Sequence, residues 1–260
     1  MKLTNFSAFA FALAVTATHG MAQAGVITFN EASCQSGTVT TTSIACSTTA
    51  AGVTSTATLS AWSAPTGSKF AGASMVYYPS YGLGISSTGE TTTSPQHAVD
   101  NSGNTEAFLI NFSSANFALN QLSLGWVSGD ADVSILRYTG ATAPTLGSRT
   151  VTDLKNAAGW EFVGNYANLS TSVPLNFNTT GTVKTASWWL VSAYNSSYSG
   201  LAPTAGLSNG DDYFKLTGFG GNIVTPPPVP GNTVPEPGTF ALLGVAVLGF
   251  AAARRRSKAK

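Results

Sequence analysis

Hydrophobic and polar positions along this chain alternate in short runs, and long helical periodicity is hard to find. The runs read VITFN at 26–30, ATLSAW at 57–62, SMVYY at 74–78, AFLINF at 107–112, QLSLGWV at 121–127, VSILRY at 133–138, WEFVGNY at 160–166, TASWWLVSAY at 185–194 and DYFKLTGFGG at 212–221. Each is rich in β-branched or aromatic residues and is bounded by Gly, Asn, Asp or Ser, the pattern of a strand with one buried face. Many such runs with turn signals between them predict an all-β domain, an antiparallel β-sandwich or jelly roll. Val151 to Ala158 predicts one or two helical turns on a connection. No fixed-period repeat is evident, which argues against a solenoid or a propeller.

The two ends of the chain follow a different pattern. Lys2 precedes the apolar stretch FSAFAFALAV at 6–15, and a polar segment then ends in Ala22-Gln23-Ala24. This predicts a cleaved N-terminal signal helix over 1–24, with Ala22 and Ala24 as the small residues of the cleavage site and the secretion translocon and signal peptidase as partners. At the other end, TPPPVPGNTVPEP at 225–237 is an extended polyproline spacer, reaching roughly 40 Å at about 3.1 Å per residue. The run TFALLGVAVLGFAAA at 239–253 predicts a transmembrane helix. It spans only about 22 Å, against roughly 30 Å of hydrocarbon. Arg254, Arg255 and Arg256 act as the membrane stop, holding the C-terminus in the cytoplasm and snorkelling to relieve the mismatch. The predicted organisation is a signal peptide at 1–24, an ectodomain at 25–224, a Pro-rich linker at 225–234 and a sorting segment at 235–260.

Val234-Pro235-Glu236-Pro237, the short apolar run and the arginine cluster together resemble the PEP-CTERM sorting signal of Gram-negative bacteria. The resemblance implies recognition and removal of the tail by exosortase, a membrane-embedded cysteine protease. It further implies an inner-membrane-anchored precursor that proceeds to the cell surface or extracellular matrix, commonly in bacteria that make exopolysaccharide. HAVDN, LGWVSGDADVSILRY and NGDDYFKL are similar to segments of a group of exosortase-dependent surface proteins, a likeness that supplies no catalytic residues.

Charge and cysteine content agree with export. The whole chain has a net charge of +1, but residues 25–234 carry 4 Lys and 2 Arg against 10 Asp and Glu, a net of −4. The excess of basic residues sits in the two targeting ends, so no basic face exists for nucleic acid. Cys34 and Cys46 suit a disulfide formed in an oxidising compartment, which would contribute on the order of 3 kcal/mol in the chain-entropy model. Residues 36–60, dominated by Ser and Thr, predict a long hairpin or a loosely ordered flap held by that bond.

Candidate chemistry is sparse. His97 stands three residues before Asp100, which suggests a His-Asp pair serving a distant serine. Asp100-Asn101-Ser102-Gly103 is equally a turn composition in which Asx bonds to backbone and glycine supplies a positive φ, and no Gly-x-Ser-x-Gly elbow is present. Asp130 and Asp132 present carboxylates at i and i+2 and are candidate calcium ligands, with Asp100, Asn101 or Glu106 joining if the loops converge. Asp211 and Asp212 open what should be the closing strand. Among ten Trp and Tyr residues that are candidate sugar platforms, Trp126, Trp188 and Trp189 stand out, the last two pointing to opposite faces of one strand. The expectation is a non-catalytic surface or matrix protein with no cofactor, calcium aside. A carbohydrate-binding or adhesive module for exopolysaccharide is the alternative, and a secreted hydrolase the third reading.

Overall fold

The computed structural model describes residues 26–34, 41–90, 95, 97–201 and 205–225. The signal peptide with Ala22 and Ala24, the linker beyond Thr225, and the sorting segment with Val234, Pro235, Glu236, Pro237 and Arg254 to Arg256 lie outside the described residues. The chain divides into two units, Met1–Val224 and Thr225–Lys260. Among the described residues no helix is long and apolar enough to cross a membrane.

The described part of the first unit is all-β. In chain order its strands are β1 (Ile27–Asn30), β2 (Ser43–Ala50), β3 (Val53–Pro65), β4 (Ala71–Gly72), β5 (Ser74–Tyr78), β6 (Gly82–Ser86), β7 (Val99–Asp100), β8 (Asn104–Phe112), β9 (Phe117–Val127), β10 (Val133–Tyr138), β11 (Trp160–Tyr166), β12 (Leu175–Asn176), β13 (Trp188–Ala193) and β14 (Tyr213–Ile223). One antiparallel sheet runs β12-β9-β14-β6-β5, with β1 and β7 also paired to β14. The other runs β11-β10-β13-β8-β3-β2, with β4 against β3. The helical turn expected near 151–158 is α1 (Val151–Leu154), closed by a capping box between Thr150 and Asp153.

Alternation explains why the two sheets face each other. Phe108, Ile110 and Phe112 of β8 join Leu59 and Ala61 of β3 and Trp189 and Val191 of β13 in the main core, opposite Phe29, Leu119, Phe214 and Phe219 of the first sheet. The intervening residues Ala107, Leu109 and Leu190 point the other way. They meet a second core built with Leu146, Leu154 and Tyr198 from the connections. The centre of the second sheet, at β8 and β13, is therefore buried on both faces, and the adjacent tryptophans divide between its two cores: Trp189 enters the first, and Trp188 packs against the second.

Two backbone features fix the pairing. Residues 36–60 fold as the hairpin rather than the flap over their described part: β2 and β3 meet through Ala51 and Gly52, whose φ values of 49° and 78° match the twist of a tight hairpin. Cys46 on β2 is bonded to Cys34, which joins the hairpin to the turn after β1. On β14, a Cβ at Gly221 would stand 1.9 Å from the carbonyl oxygen of Ala118, so only glycine lets β9 approach there.

Trp189→Ala empties a wholly buried site and is expected to lower the unfolding free energy by about 3–5 kcal/mol. Gly221→Ala is expected to lower it by about 1–3 kcal/mol through the forced backbone shift. Val173→Ala, at an exposed position, should stay within about 0.5 kcal/mol. Urea unfolding of the three variants measures this, and a Trp189→Ala effect no larger than that of Val173→Ala would contradict the two-core arrangement.

Candidate functional site

The chain passes from one sheet to the other between β7 and β8. Val99 and Asp100 pair with Phe214 and Tyr213 of β14, whereas Asn104 onward belongs to the opposite sheet, paired with β3. The crossing is the turn that its composition predicts. The Ser102 amide donates to Asp100 Oδ1 at 3.0 Å, and Gly103 has a φ of 85°. Two groups of carboxylates gather at this crossing, one on each side of it.

The first group is Asp130, Asp132 and Asp212, with one carboxylate oxygen from each within 4.8 Å of the others. Asp212 comes from the entrance to β14, and the parallel bridge between Asp130 and Asp212 brings it beside the loop after β9. These carboxylates are heavily engaged by donors. Asp132 accepts from the amides of Asn168 at 2.7 Å and Ser208 at 2.9 Å, so one side chain ties down two loops. Asp212 accepts from the Asp132 amide at 2.5 Å and from the Asn101 side chain, and its own amide donates back to Asn101 Oδ1 at 3.0 Å. Burial pushes the Asp212 carboxyl up to about 8 against the pull of the Asp132 amide, and the nearby aspartates add to the rise. Burial likewise raises Asp132, with the Asn168 and Ser208 amides opposing.

The second group is Glu90, Asp100 and Glu106, again with one oxygen from each within 4.8 Å of the others. Here the sequence reading needs correction: Asp100 and Glu106 do not join Asp130 and Asp132, while Asn101 does, through Asp212. Asp100 ends β7 and Asn101 opens the turn, and the two side chains fall to different groups. Glu90 is held by Ser87, whose amide and hydroxyl donate to its two oxygens at 3.1 and 2.8 Å. Its signal in the sequence is a Ser-x-x-Glu pattern, which sequence reasoning passed over. Burial pushes Asp100 up to about 7, opposed by the Ser102 amide and assisted by Glu90. Burial also lifts Glu106 well above the carboxylate range, as do the charges of Asp100 and Glu90.

Cations are directed elsewhere. The ion pairs among the described residues join Glu161 to Arg137 and Lys184. Lys215, buried on β14, lies over the rings of Trp126 at 3.9 Å and Tyr78 at 4.7 Å. Its burial lowers the ammonium to about 8. His97 Nδ1 is 2.9 Å from the Tyr78 hydroxyl, in hydrogen-bond contact, so a phenol from β5 rather than Asp100 orients the imidazole.

Of the three aromatic candidates, Trp189 is excluded as a sugar platform. Trp189 is 0% exposed, with its indole N–H donated to the Ala186 carbonyl, and presents no face to a sugar. Trp188 packs on the second core, and Lys215 occupies a face of Trp126. Trp189 is thus spent on packing, while Trp188 and Trp126 stay partly exposed beside their partners.

Asp132→Ala leaves the Asn168 and Ser208 amides without their acceptor and is expected to lower stability by about 2–4 kcal/mol in urea unfolding. Asp212 also sets a pH dependence. With its folded-state value near 8 and its ordinary value 3.8, the folded chain holds a proton that the unfolded chain has released. Its contribution is complete below the ordinary value and is lost as pH rises toward the folded one. The urea midpoint in chelator should fall between about pH 5 and about pH 8, and Asp212→Asn should flatten the fall. An equal slope in parent and variant would contradict this.

One family model matches, at the C-terminal end of the chain. Residues 233–256 match the family model for the PEP-CTERM protein-sorting motif. No curated protein and no solved structure matches the chain. The matched segment takes in Val234, Pro235, Glu236 and Pro237, the apolar run and the three arginines. The chain thus carries a PEP-CTERM protein-sorting motif, which marks an exported protein targeted to exosortase.

Proposed function

We propose that this protein is a non-catalytic component of the bacterial surface or extracellular matrix. It is exported through the secretion translocon and loses residues 1–24 to signal peptidase. The apolar run 239–253 then holds it in the inner membrane until exosortase separates the ectodomain from its tail at the Pro235-Glu236-Pro237 region. The sorting motif at 233–256 is the observation that carries this reading. The β-sandwich ectodomain and its disulfide suit an oxidising exterior.

The polar clusters support a structural rather than a catalytic role. Asp132 spends its carboxylate on backbone amides of two loops, and His97 is engaged by Tyr78. A catalytic acid or base needs a free path to a reacting proton, and these groups serve the fold instead.

Replacing Pro235, Glu236 and Pro237 together by alanine tests the reading in the native host. The parent should be found in the surface and medium fractions, and the variant should accumulate in the inner membrane with the same ectodomain disulfide. Equal surface display of the two would overturn the sorting route.

A further inference from the structure

We propose that Glu90, Asp100 and Glu106 form a binding site for a divalent cation of the calcium type, with Ser63 beside them, at the point where the chain crosses between sheets. The three side chains come from separate elements: the turn after β6, the β7 strand on the first sheet, and β8 on the second. One oxygen of each nevertheless lies within 4.8 Å of the others. Like charges brought this close repel unless a proton or a cation lies between them.

A second, independent observation points to a ligand. Glu106 is 0% exposed, and its Oε1 has no hydrogen-bond partner. Its register partner on β3 is Ser63, also buried, whose Oγ likewise has none. Directly paired residues share a sheet face with Cβ atoms about 4.5–5.5 Å apart. The face is the inner one, since Ala61 and Phe108, two positions along each strand, belong to the main core. Two cross-strand neighbours on one sheet face therefore each carry an unpartnered buried oxygen, and one of them, Glu106, belongs to the carboxylate group. Buried polar atoms are ordinarily satisfied, and one bound ion with its waters would satisfy this pair together.

The donor set selects the ion. All ligands are oxygen, three of them carboxylates, with no imidazole or thiolate, which suits a hard cation and disfavours zinc or copper. Glu90 is only half-buried, so the ion has an approach from solvent and room for coordinating water. What separates this group from the neighbouring Asp130, Asp132 and Asp212 is Glu106 Oε1: the two buried members there, Asp132 and Asp212, accept on both oxygens, whereas here Glu90 accepts from Ser87 and Glu106 Oε2 from the Asp100 amide but Glu106 Oε1 accepts from no donor. Once bound, the ion ties the β7 edge of one sheet to β8 of the other and fixes the turn that carries Glu90. The inference does not depend on the sorting reading.

Chelator-treated protein titrated with calcium chloride, followed by thermal unfolding and by calorimetry, tests it. A ligand that binds only the folded chain raises the unfolding temperature with its concentration. The parent should show this rise, with magnesium a weaker substitute. Glu90→Gln, at a half-buried position that the fold tolerates, should weaken calcium binding by about tenfold or more, and Glu106→Gln should do so at least as strongly. Asp130→Asn should leave it unchanged. No calcium-dependent rise in the parent would overturn the proposal. A rise that survives Glu90→Gln, or one that is lost only in Asp130→Asn, would also overturn it by placing the ion elsewhere.

Discussion

The backbone ladder of β14 is the constraint on which the rest of the ectodomain depends. This one strand pairs with β9 along most of its length and also with β1, β6 and β7 at different points, so it organises the first sheet. Such pairing demands close backbone approach. At Gly218, Gly220 and Gly221 a Cβ would stand 3.1, 2.8 and 1.9 Å from the carbonyl oxygens of Phe29, Ile27 and Ala118. The register shifts between β14 and β9 fall from Lys215 to Gly221, where bulges increase twist and let the sheet wrap over the core. Phe214, Leu216 and Phe219 from the same strand supply the apolar face that meets the second sheet.

The same strand assembles the polar end of the sandwich. Its entrance delivers Asp212 to Asp130 and Asp132, and its pairing with β7 holds the segment whose Asp100 meets Glu106 and whose Asn101 meets Asp212. Buried carboxylates are tolerated here because each has a structural answer: backbone amides at Asp132, an asparagine clasp at Asp212, an Asx turn at Asp100. Glu106 is the member whose hydrogen bonding stays incomplete. The sheet crossing is thus both a joint in the fold and the densest concentration of acidic groups among the described residues.

How much of this was legible in the sequence depends on how local the cause was. SMVYY, VSILRY and WEFVGNY match β5, β10 and β11 at both ends, because turn residues bound each run and β-rich composition fills it. β6, with the sequence GLGIS, and the two-residue strands β4, β7 and β12 carry no readable period and exist only because a neighbour pairs with them. Serine and threonine left the β2 and β3 hairpin as one of two readings for 36–60, while the alternation of Ala57, Leu59 and Ala61 marked part of β3 directly. Asp130 and Asp132 were visible as a pair because they are sequence neighbours. Their third member, Asp212, lies 80 positions beyond Asp132 and arrives through strand pairing. The opposed faces of Trp188 and Trp189 followed from strand geometry, but the second core covering Trp188 comes from connections whose packing no local pattern announces.

Destination rather than chemistry is what the chain declares most plainly, through a C-terminal signal that matches a known sorting motif. The most direct measurement is the intact mass of the protein recovered from the surface and medium of its native host, with and without exosortase. The account predicts a species that begins near Gly25 and lacks the segment after the Pro-Glu-Pro region only when exosortase is present. An intact tail in both strains would contradict it.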